Sequence, residues 1–168
     1  IFPSLQKSKI SEIYEPSGKV IKTQAGNSIT VTLETEVDVS RGDMIATDSH
    51  PPYVADKLAA HIVWMDKTSL LPERTYDIRF ATSESKAQIV SLDYKVDVNT
   101  LNKHATKTLG INEIGYCKVS LSKPVAFDSY RDNKFTGSFI LIDKESKATV
   151  GAGMIDYPLR RASNIKWH

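Results

Sequence analysis

The side chains best able to do chemistry in this sequence lie far apart. No two of the four histidines have the close spacing of a metal-binding motif, and the one cysteine has no cysteine partner. The sequence therefore predicts neither a metal site nor an internal disulfide. His61 falls in an apolar run, where we expect it to pack or hydrogen-bond, and Cys117 falls where we expect an inert buried thiol. The other histidines are His50, His104 and His168.

Charged residues form two small groups. Asp93, Lys95 and Asp97 make a charged stripe on an alternating strand. Paired carboxylates could do acid–base work or bind a cation, but the wet face of a strand explains them more simply. Arg160, Arg161 and Lys166 form a basic cluster, which is either a solvated tail or a contact for an acidic partner.

Phosphate-binding motifs are absent from the sequence. It contains no GxxxxGK[ST] pattern and no glycine-rich dinucleotide fingerprint. We therefore predict no catalytic, cofactor-binding or metal-ligating residue, and the residues by themselves indicate an interaction or scaffold module.

The composition is that of an ordinary packed protein. The 168 residues include 22 basic and 20 acidic side chains, a net charge of +2 that gives no footprint for nucleic acid or membrane binding. No apolar run approaches the roughly 18 residues of a membrane span, and no signal peptide is visible. With one cysteine, a reducing, cytoplasmic location is expected. Because the chain begins at Ile1 and not at methionine, we expect a fragment or a processed product.

A hairpin near the carboxyl end organises the predicted fold. Two apolar runs between Thr136 and Ile155 flank a charged turn at residues 143–147, a pattern typical of paired strands. Gly151 and Gly153 alternate in the second run, so we expect a neighbouring layer to approach this strand closely.

The rest of the chain predicts short, alternating strands and almost no helix. Predicted strands lie at residues 29–33 (continuing to Val39), 44–46, 54–65, 76–80, 89–98 and 117–121. In the strand at 89–98, Val90 and Leu92 are predicted to share one face. Pro124 is predicted to end the strand that begins at residue 117. A short helical turn is predicted at residues 100–103. These features favour an all-β class in which barrels remove exposed edges.

The adjacent prolines Pro51 and Pro52 mark the strongest linker signal. They predict three regions: the later part of one β-barrel at residues 1–50, a complete β-barrel at 51–156 and a tail at 157–168. The charged loop from Asp128 to Lys134 interrupts the alternation and should project outward, so Tyr130 and Arg131 are candidate partner contacts, although they could instead cap the barrel.

Several segments resemble a known family. The segments are VTLETEVDVSRGDMIA, AAHIVWM, LPERTYDIRFAT, VSLDYKVDVNTL and TGSFILIDKESKATVGAGMI. They are similar to the second and third domains of the GTPase large subunit of bacterial sulfate adenylyltransferase (ATP sulfurylase). The third domain of that group is a translation-factor-type barrel, like domain III of elongation factor Tu. The pieces around Trp64 and Asp97 separate this chain from the elongation factors.

The resemblance implies a parent that forms adenosine 5′-phosphosulfate from ATP and sulfate, coupled to GTP hydrolysis. In that family the adenylyl-transfer site lies in a small subunit, and GTP with Mg²⁺ binds an amino-terminal GTPase domain that is absent from this sequence. The implied partners are thus the small subunit and the parent's own GTPase domain, with no catalytic residue carried onto this chain.

The tail adds a further resemblance. Asn164 to His168 is similar to the start of an adenylylsulfate kinase domain, which implies a bifunctional fusion. The alternative to the whole interpretation is the barrel pair of a translation elongation factor, which would bind tRNA or an exchange partner. The balanced charge weakens that alternative, since RNA contact usually leaves a basic footprint.

Overall fold

The computed structural model describes residues 1–159, and all of its regular elements are strands. β1 (Ile10–Glu15), β2 (Gly18–Val20) and β3 (Thr30–Leu33) form a small antiparallel sheet in the order β2-β1-β3. The larger sheet contains β4 (Tyr53–Trp64), β5 (Thr75–Arg79), β6 (Glu84–Val96), β7 (Lys103–His104), β8 (Ile114–Phe127), β9 (Ser138–Ile142) and β10 (Thr149–Pro158). Within residues 1–159 there is no helix long and apolar enough to cross a membrane.

The larger sheet closes into a six-stranded barrel. Its order is β5-β9-β10-β4-β8-β6, and an additional pairing of β5 with β6 joins the two ends. The short strand β7 pairs only with the end of β6. Closure gives every barrel strand two neighbours, which removes exposed edges. The all-β class and the predicted barrel are therefore confirmed.

One apolar core fills the barrel. Inward side chains alternate along each strand, as the sequence pattern predicts for a half-buried strand. Trp64 packs edge-on against Tyr76 with ring centroids 5.8 Å apart, and the Trp64 indole N–H donates to the Thr68 carbonyl at 2.7 Å. Fully buried members of the core include Leu58, Ile62, Ile78, Ile89, Leu141 and Ile155.

The face assignment predicted for β6 is wrong. Val90 is 55% exposed whereas Ile89 is fully buried, so Val90 and Leu92 do not share the core face. The register of β6 against β8 shifts between Ile89 and Ser91 and again between Leu92 and Tyr94. Each bulge inserts an extra residue and reverses the alternation beyond it.

Pro124 does not end its strand, because β8 continues to Phe127. Against β4, Val125 pairs with Ala55 and Ser120 pairs with Lys57, so Pro124 falls in the irregular stretch between those pairs. Proline has no N–H to donate, and a bulge is where a strand tolerates it.

The predicted helical turn at residues 100–103 is a turn followed by β7. The Asp97 carboxylate accepts the backbone N–H groups of Asn99 and Thr100 at 2.8 and 3.0 Å, and Leu101 has a φ of 59°. The hydrogen bonds close the turn, and the positive φ of Leu101 prevents it from continuing as a helix.

The strand predicted to reach Val39 ends at Leu33. Of the strand predicted at residues 44–46, only Met44 pairs, as an isolated bridge with Phe2. The segment after β3 contacts the turn between β5 and β6, where the Thr82 hydroxyl donates to the Gly42 carbonyl at 3.0 Å. The division of the chain into domains stays a prediction, and the basic cluster at residues 160–166 lies outside the described residues.

Candidate partner-contact site

The closing hairpin has the predicted form, with β9 and β10 antiparallel around the turn at residues 143–147. Gly153 pairs with Phe139 across the two strands. A Cβ on Gly153 would lie 2.0 Å from the Phe139 Cζ, so the phenyl ring covers the position where a side chain would stand. An aromatic ring over a cross-strand glycine stabilises the pair. A close approach at Gly153 is therefore present, but it comes from the paired strand β9 and not from another layer.

The loop at residues 128–137, here called the clamp loop, is held by its backbone against the end of β10. The Tyr130 N–H donates to the Ile155 carbonyl, and the Ile155 N–H donates to the Gly137 carbonyl, both at 2.8 Å. Inside the loop, the Asn133 side-chain oxygen accepts the Phe135 N–H at 3.0 Å. The clamp loop is thus an ordered part of the barrel rim.

Gly137 makes the tight path of the clamp loop possible. A Cβ at this position would lie 2.5 Å from the Tyr130 nitrogen and 2.6 Å from the Asn133 carbonyl oxygen. Both are backbone atoms, which cannot move aside as a flexible side chain can. Because Gly137 has no side chain, the loop can follow this tight path, and the path sets the positions of the other loop residues.

A groove of about 560 Å³ lies between the clamp loop and the barrel, where β5 ends and β9 begins. Most of its lining is apolar or aromatic. Its two charged lining residues are Arg79, which donates to Glu84 at 2.7 Å, and Lys134, which is exposed. The principal apolar lining residues are Val63, Phe80, Tyr130, Phe135, Phe139, Ile140, Ala152 and Met154.

The two predicted contact residues occupy different places. Tyr130 is partly buried and lines the groove, whereas Arg131 is exposed and is not among the lining residues. Sequence reasoning did not identify Phe135, Lys134 or Arg79. Phe135 is 69% exposed. Its position directly after a run of polar loop residues could have indicated an exposed aromatic contact residue.

His61 lies on the outer face of the barrel and packs between aromatic rings. Its ring centroid is 4.8 Å from that of Tyr116 and 6.5 Å from that of Tyr94. Burial lowers the pKa of His61, opposed by the charge of Asp156, which also accepts the Tyr116 hydroxyl at 2.9 Å. This environment agrees with the predicted packing role.

Cys117 is a buried core residue, as predicted. Burial raises its pKa to about 12, and the charge of Asp93 acts in the same direction. The thiolate, which is the reactive form, is therefore scarce at neutral pH.

The charged stripe on β6 is taken up by ion pairs and turn contacts. Lys95 donates to Glu113 at 2.7 Å, Lys118 lies 3.3 Å from Asp93, and Asp97 closes the turn described above. The His50 ring lies 2.9 Å from the Ser49 hydroxyl, and His104 is exposed on β7. His168 lies outside the described residues. These contacts favour the simpler interpretation, a solvated strand face.

Two features common in nucleotide and metal sites are absent from residues 1–159. These residues form no helix, so they offer no helix N-terminus to a phosphate. In the same range, no group of three or more His, Cys, Asp or Glu side chains is placed to hold a metal ion. The expectation that GTP and Mg²⁺ bind another domain is not tested by this chain.

Curated relatives match nearly the whole chain. The bifunctional enzyme NodQ of Rhizobium meliloti (strain 1021) is 40% identical over 97% of this chain and 25% of its own length. The bifunctional enzyme CysN/CysC of Xylella fastidiosa is 42% identical over 99% of the chain and 27% of its own. Sulfate adenylyltransferase subunit 1 of Aeromonas hydrophila is 43% identical over 92% and 33%. The chain thus spans about a quarter to a third of these relatives, which confirm the resemblance.

Solved structures and family models agree on the fold. The crystal structure of sup35 complexed with GDP superimposes with a TM-score of 0.81 over 95% of this chain and 40% of its own, at 19% identity. That likeness shows a translation-factor-type fold. A model described as GTP-eEF1A C-terminal domain-like matches residues 57–156, more than half of the chain. The chain therefore belongs to the GTP-eEF1A C-terminal domain-like family.

Proposed function

We propose that this chain is the non-catalytic barrel portion of the large subunit of a GTP-dependent sulfate adenylyltransferase. In the parent it positions a GTP-hydrolysing domain against a separate small subunit that forms adenosine 5′-phosphosulfate from ATP and sulfate. The observation that carries this proposal is the 43% identity to sulfate adenylyltransferase subunit 1 over 92% of the chain.

A positioning role suits the architecture. The closed barrel has a filled apolar core, and its buried thiol and partly buried histidine are engaged in packing. A rigid element of this kind can hold two other domains in a fixed relation through its outer surface, without an internal pocket. Tyr130 and Arg131 stay proposed contacts on that surface.

The parent's wider organisation is part of the same proposal. Two of the relatives are named bifunctional enzymes. These names support a parent that continues into an adenylylsulfate kinase domain. We propose in addition that the parent works in the cytoplasm and binds GTP and Mg²⁺ in its GTPase domain. The elongation-factor alternative has less support, because the sup35 likeness is at 19% identity and concerns the fold alone.

The direct test is capture of a purified sulfate adenylyltransferase small subunit by this chain immobilised on resin. Saturable capture is expected, and its absence would place the principal interface elsewhere and contradict the positioning role. Filter binding of tRNA at two salt concentrations is the counter-test. Tight, salt-sensitive tRNA binding would favour the elongation-factor alternative.

Nucleotide binding gives a second test. Calorimetric titration of this chain with GTP or ATP is expected to show no specific heat of binding, because residues 1–159 offer no phosphate-binding loop and helix. Micromolar affinity for either nucleotide would overturn the assignment of nucleotide chemistry to other parts of the parent.

A further inference from the structure

We infer that the groove beside the clamp loop binds an acidic polypeptide segment of a partner protein, in which an apolar or aromatic side chain lies between carboxylates. The inference rests on the proposed function in one respect, that the chain works by holding a protein partner. It adds the place, the residues and the chemistry of that contact.

The groove offers an apolar binding surface large enough for partner side chains. Its 560 Å³ accommodates one or two large side chains, and aromatic residues line it on both the loop and the barrel side. Phe135 leaves 69% of its surface exposed at this rim, and Met154 lies partly buried on β10. Partner anchors at protein interfaces are typically such aromatic and flexible apolar side chains.

The charge around the groove selects an acidic partner. Among residues 1–159, the charged lining residues are Lys134 and Arg79, which is paired with Glu84, and no carboxylate is in the lining. Within residues 1–159, the side chains of Lys134 and Arg131 make no hydrogen bond or ion pair. Their positive charge is therefore available to a partner.

The acidic residues of the clamp loop are already engaged. Asp128 accepts the Thr136 hydroxyl, and Asp132 accepts the Ser129 hydroxyl at 2.7 Å. Both carboxylates keep their negative charge, but they hold the loop in shape and are not among the described residues that line the groove, where Lys134 is an unpaired cation. Charge complementarity of this kind speeds encounter and rejects basic partners.

The site is held in shape before a partner arrives. The clamp loop is hydrogen-bonded to β10 through Tyr130 and Gly137, and no side chain could be added at Gly137 without moving backbone. A preformed groove avoids part of the ordering cost of association. Nucleic acid is the less suitable occupant, because single strands usually need a cationic track along the backbone and this lining has two cations.

The test uses a fluorescein-labelled peptide in which phenylalanine and leucine lie between two pairs of glutamates. We expect saturable binding to the whole chain by anisotropy, with a Kd below about 1 mM and weakening as salt rises. A peptide with lysines in place of the glutamates, and one with serines in place of the two apolar residues, should each bind at least roughly tenfold more weakly.

Matched variants locate the binding. Lys134→Glu and Phe135→Ala should each weaken it roughly fivefold or more, because one reverses a rim charge and the other removes an exposed anchor. Lys107→Glu and Val98→Ala, which change an exposed lysine and an exposed valine outside the groove, should stay within about twofold. Melting curves check that each variant folds, and chemical-shift changes at the Met154 methyl group report occupancy of the groove independently.

Each contrary result overturns the inference. These are no binding of the acidic peptide, equal binding of the lysine peptide, equal losses in the control variants, or competition by oligo(dT) stronger than by the unlabelled peptide. The peptide and capture experiments also distinguish failure of this inference from failure of the proposed function. Small-subunit capture that the groove variants leave unchanged contradicts the groove alone, whereas peptide binding without small-subunit capture contradicts the positioning role alone.

Discussion

Replacing Gly153 with alanine tests how tightly the closing hairpin is packed. The new Cβ would lie 2.0 Å from the Phe139 Cζ and 2.4 Å from both Cε atoms, whereas carbon atoms in contact prefer about 3.5–4.0 Å. The phenyl ring would have to move by roughly 1.5 Å. It is only 3% exposed and packs against Phe80 with ring centroids 5.8 Å apart, so it has little room.

Crowding of this kind costs about 1–3 kcal/mol, and the lower entropy of the unfolded alanine chain offsets part of it. We therefore expect Gly153→Ala to lower the free energy of unfolding by about 1–2 kcal/mol, a fall in Tm of about 2–8 °C. Urea denaturation followed by circular dichroism measures it. Gly110→Ala is the matched control, since its nearest atom would be 3.6 Å away and its φ needs no glycine. That variant should be neutral or slightly stabilising.

A double-variant cycle separates the phenyl ring from other causes. Phe139→Leu removes the atoms that the new Cβ would meet, so in that background Gly153→Ala should cost less than about 0.5 kcal/mol. The coupling energy between the two positions should then reach about 0.5–2 kcal/mol. Additive effects, or a Gly153→Ala variant as stable as the parent chain, would refute the steric explanation.

Three further predictions concern other parts of the barrel. Gly137→Ala should destabilise the chain by at least about 2 kcal/mol in chemical denaturation, because its Cβ would meet backbone atoms; an unchanged midpoint would show that the clamp loop yields easily. The Ser146 N–H and hydroxyl, together with Arg74, keep the pKa of Asp143 below its ordinary value, so its stabilisation is present at neutral pH and is lost as pH falls below about 4. The Tm difference between the parent and Asp143→Asn should accordingly shrink on acidification, and a constant difference would contradict this origin. Cys117 should react with a disulfide reagent at pH 8 only after unfolding in guanidinium, because burial raises its pKa to about 12; rapid reaction of the folded chain would count against the buried thiol.

The barrel could be predicted where local pattern and tertiary environment agree. β4 has apolar residues on both faces, and it lies between β8 and β10 with its inner face buried and its outer face covered by aromatic neighbours such as Tyr116. The closing hairpin was signalled equally well by its charged turn, and its alternating glycines by the close approach they permit. In these elements, the alternation of apolar and polar residues along the strand directly indicates which side chains are buried.

The features that sequence reasoning missed depend on pairing across strands. The bulges of β6 change which residues face the core, and nothing in the run from Ile89 to Val96 marks them, because each is set by the register against β8. The prediction that Pro124 ends its strand was wrong for the same reason, because the strand can contain this proline only where its pairing with β4 is irregular. A period-two pattern gives faces correctly only as far as the next bulge.

The groove was equally hidden, because its lining comes from the clamp loop and four strands, with Val63 contributed by β4. Arg79 stands at the end of β5, Ile140 in β9, Met154 in β10, and Phe135 in the clamp loop. Tyr130 could be proposed as a contact because a loop interrupts alternation, but its aromatic and cationic neighbours come together only once the barrel closes.

The closed barrel and the clamp loop together leave a surface for the partner contact that we propose, although the barrel interior is filled. Closure commits the inward side chains to the core and leaves the outer surface and the strand ends for contacts. The clamp loop crosses one of those ends, and its backbone bonds to Ile155 tie it to a strand that is itself paired on both sides. The loop that carries Phe135 and Lys134 is therefore fixed to the barrel by backbone hydrogen bonds. The positioning role that we propose would require this rigidity, since a compliant contact would leave the relative placement of the two other domains undefined.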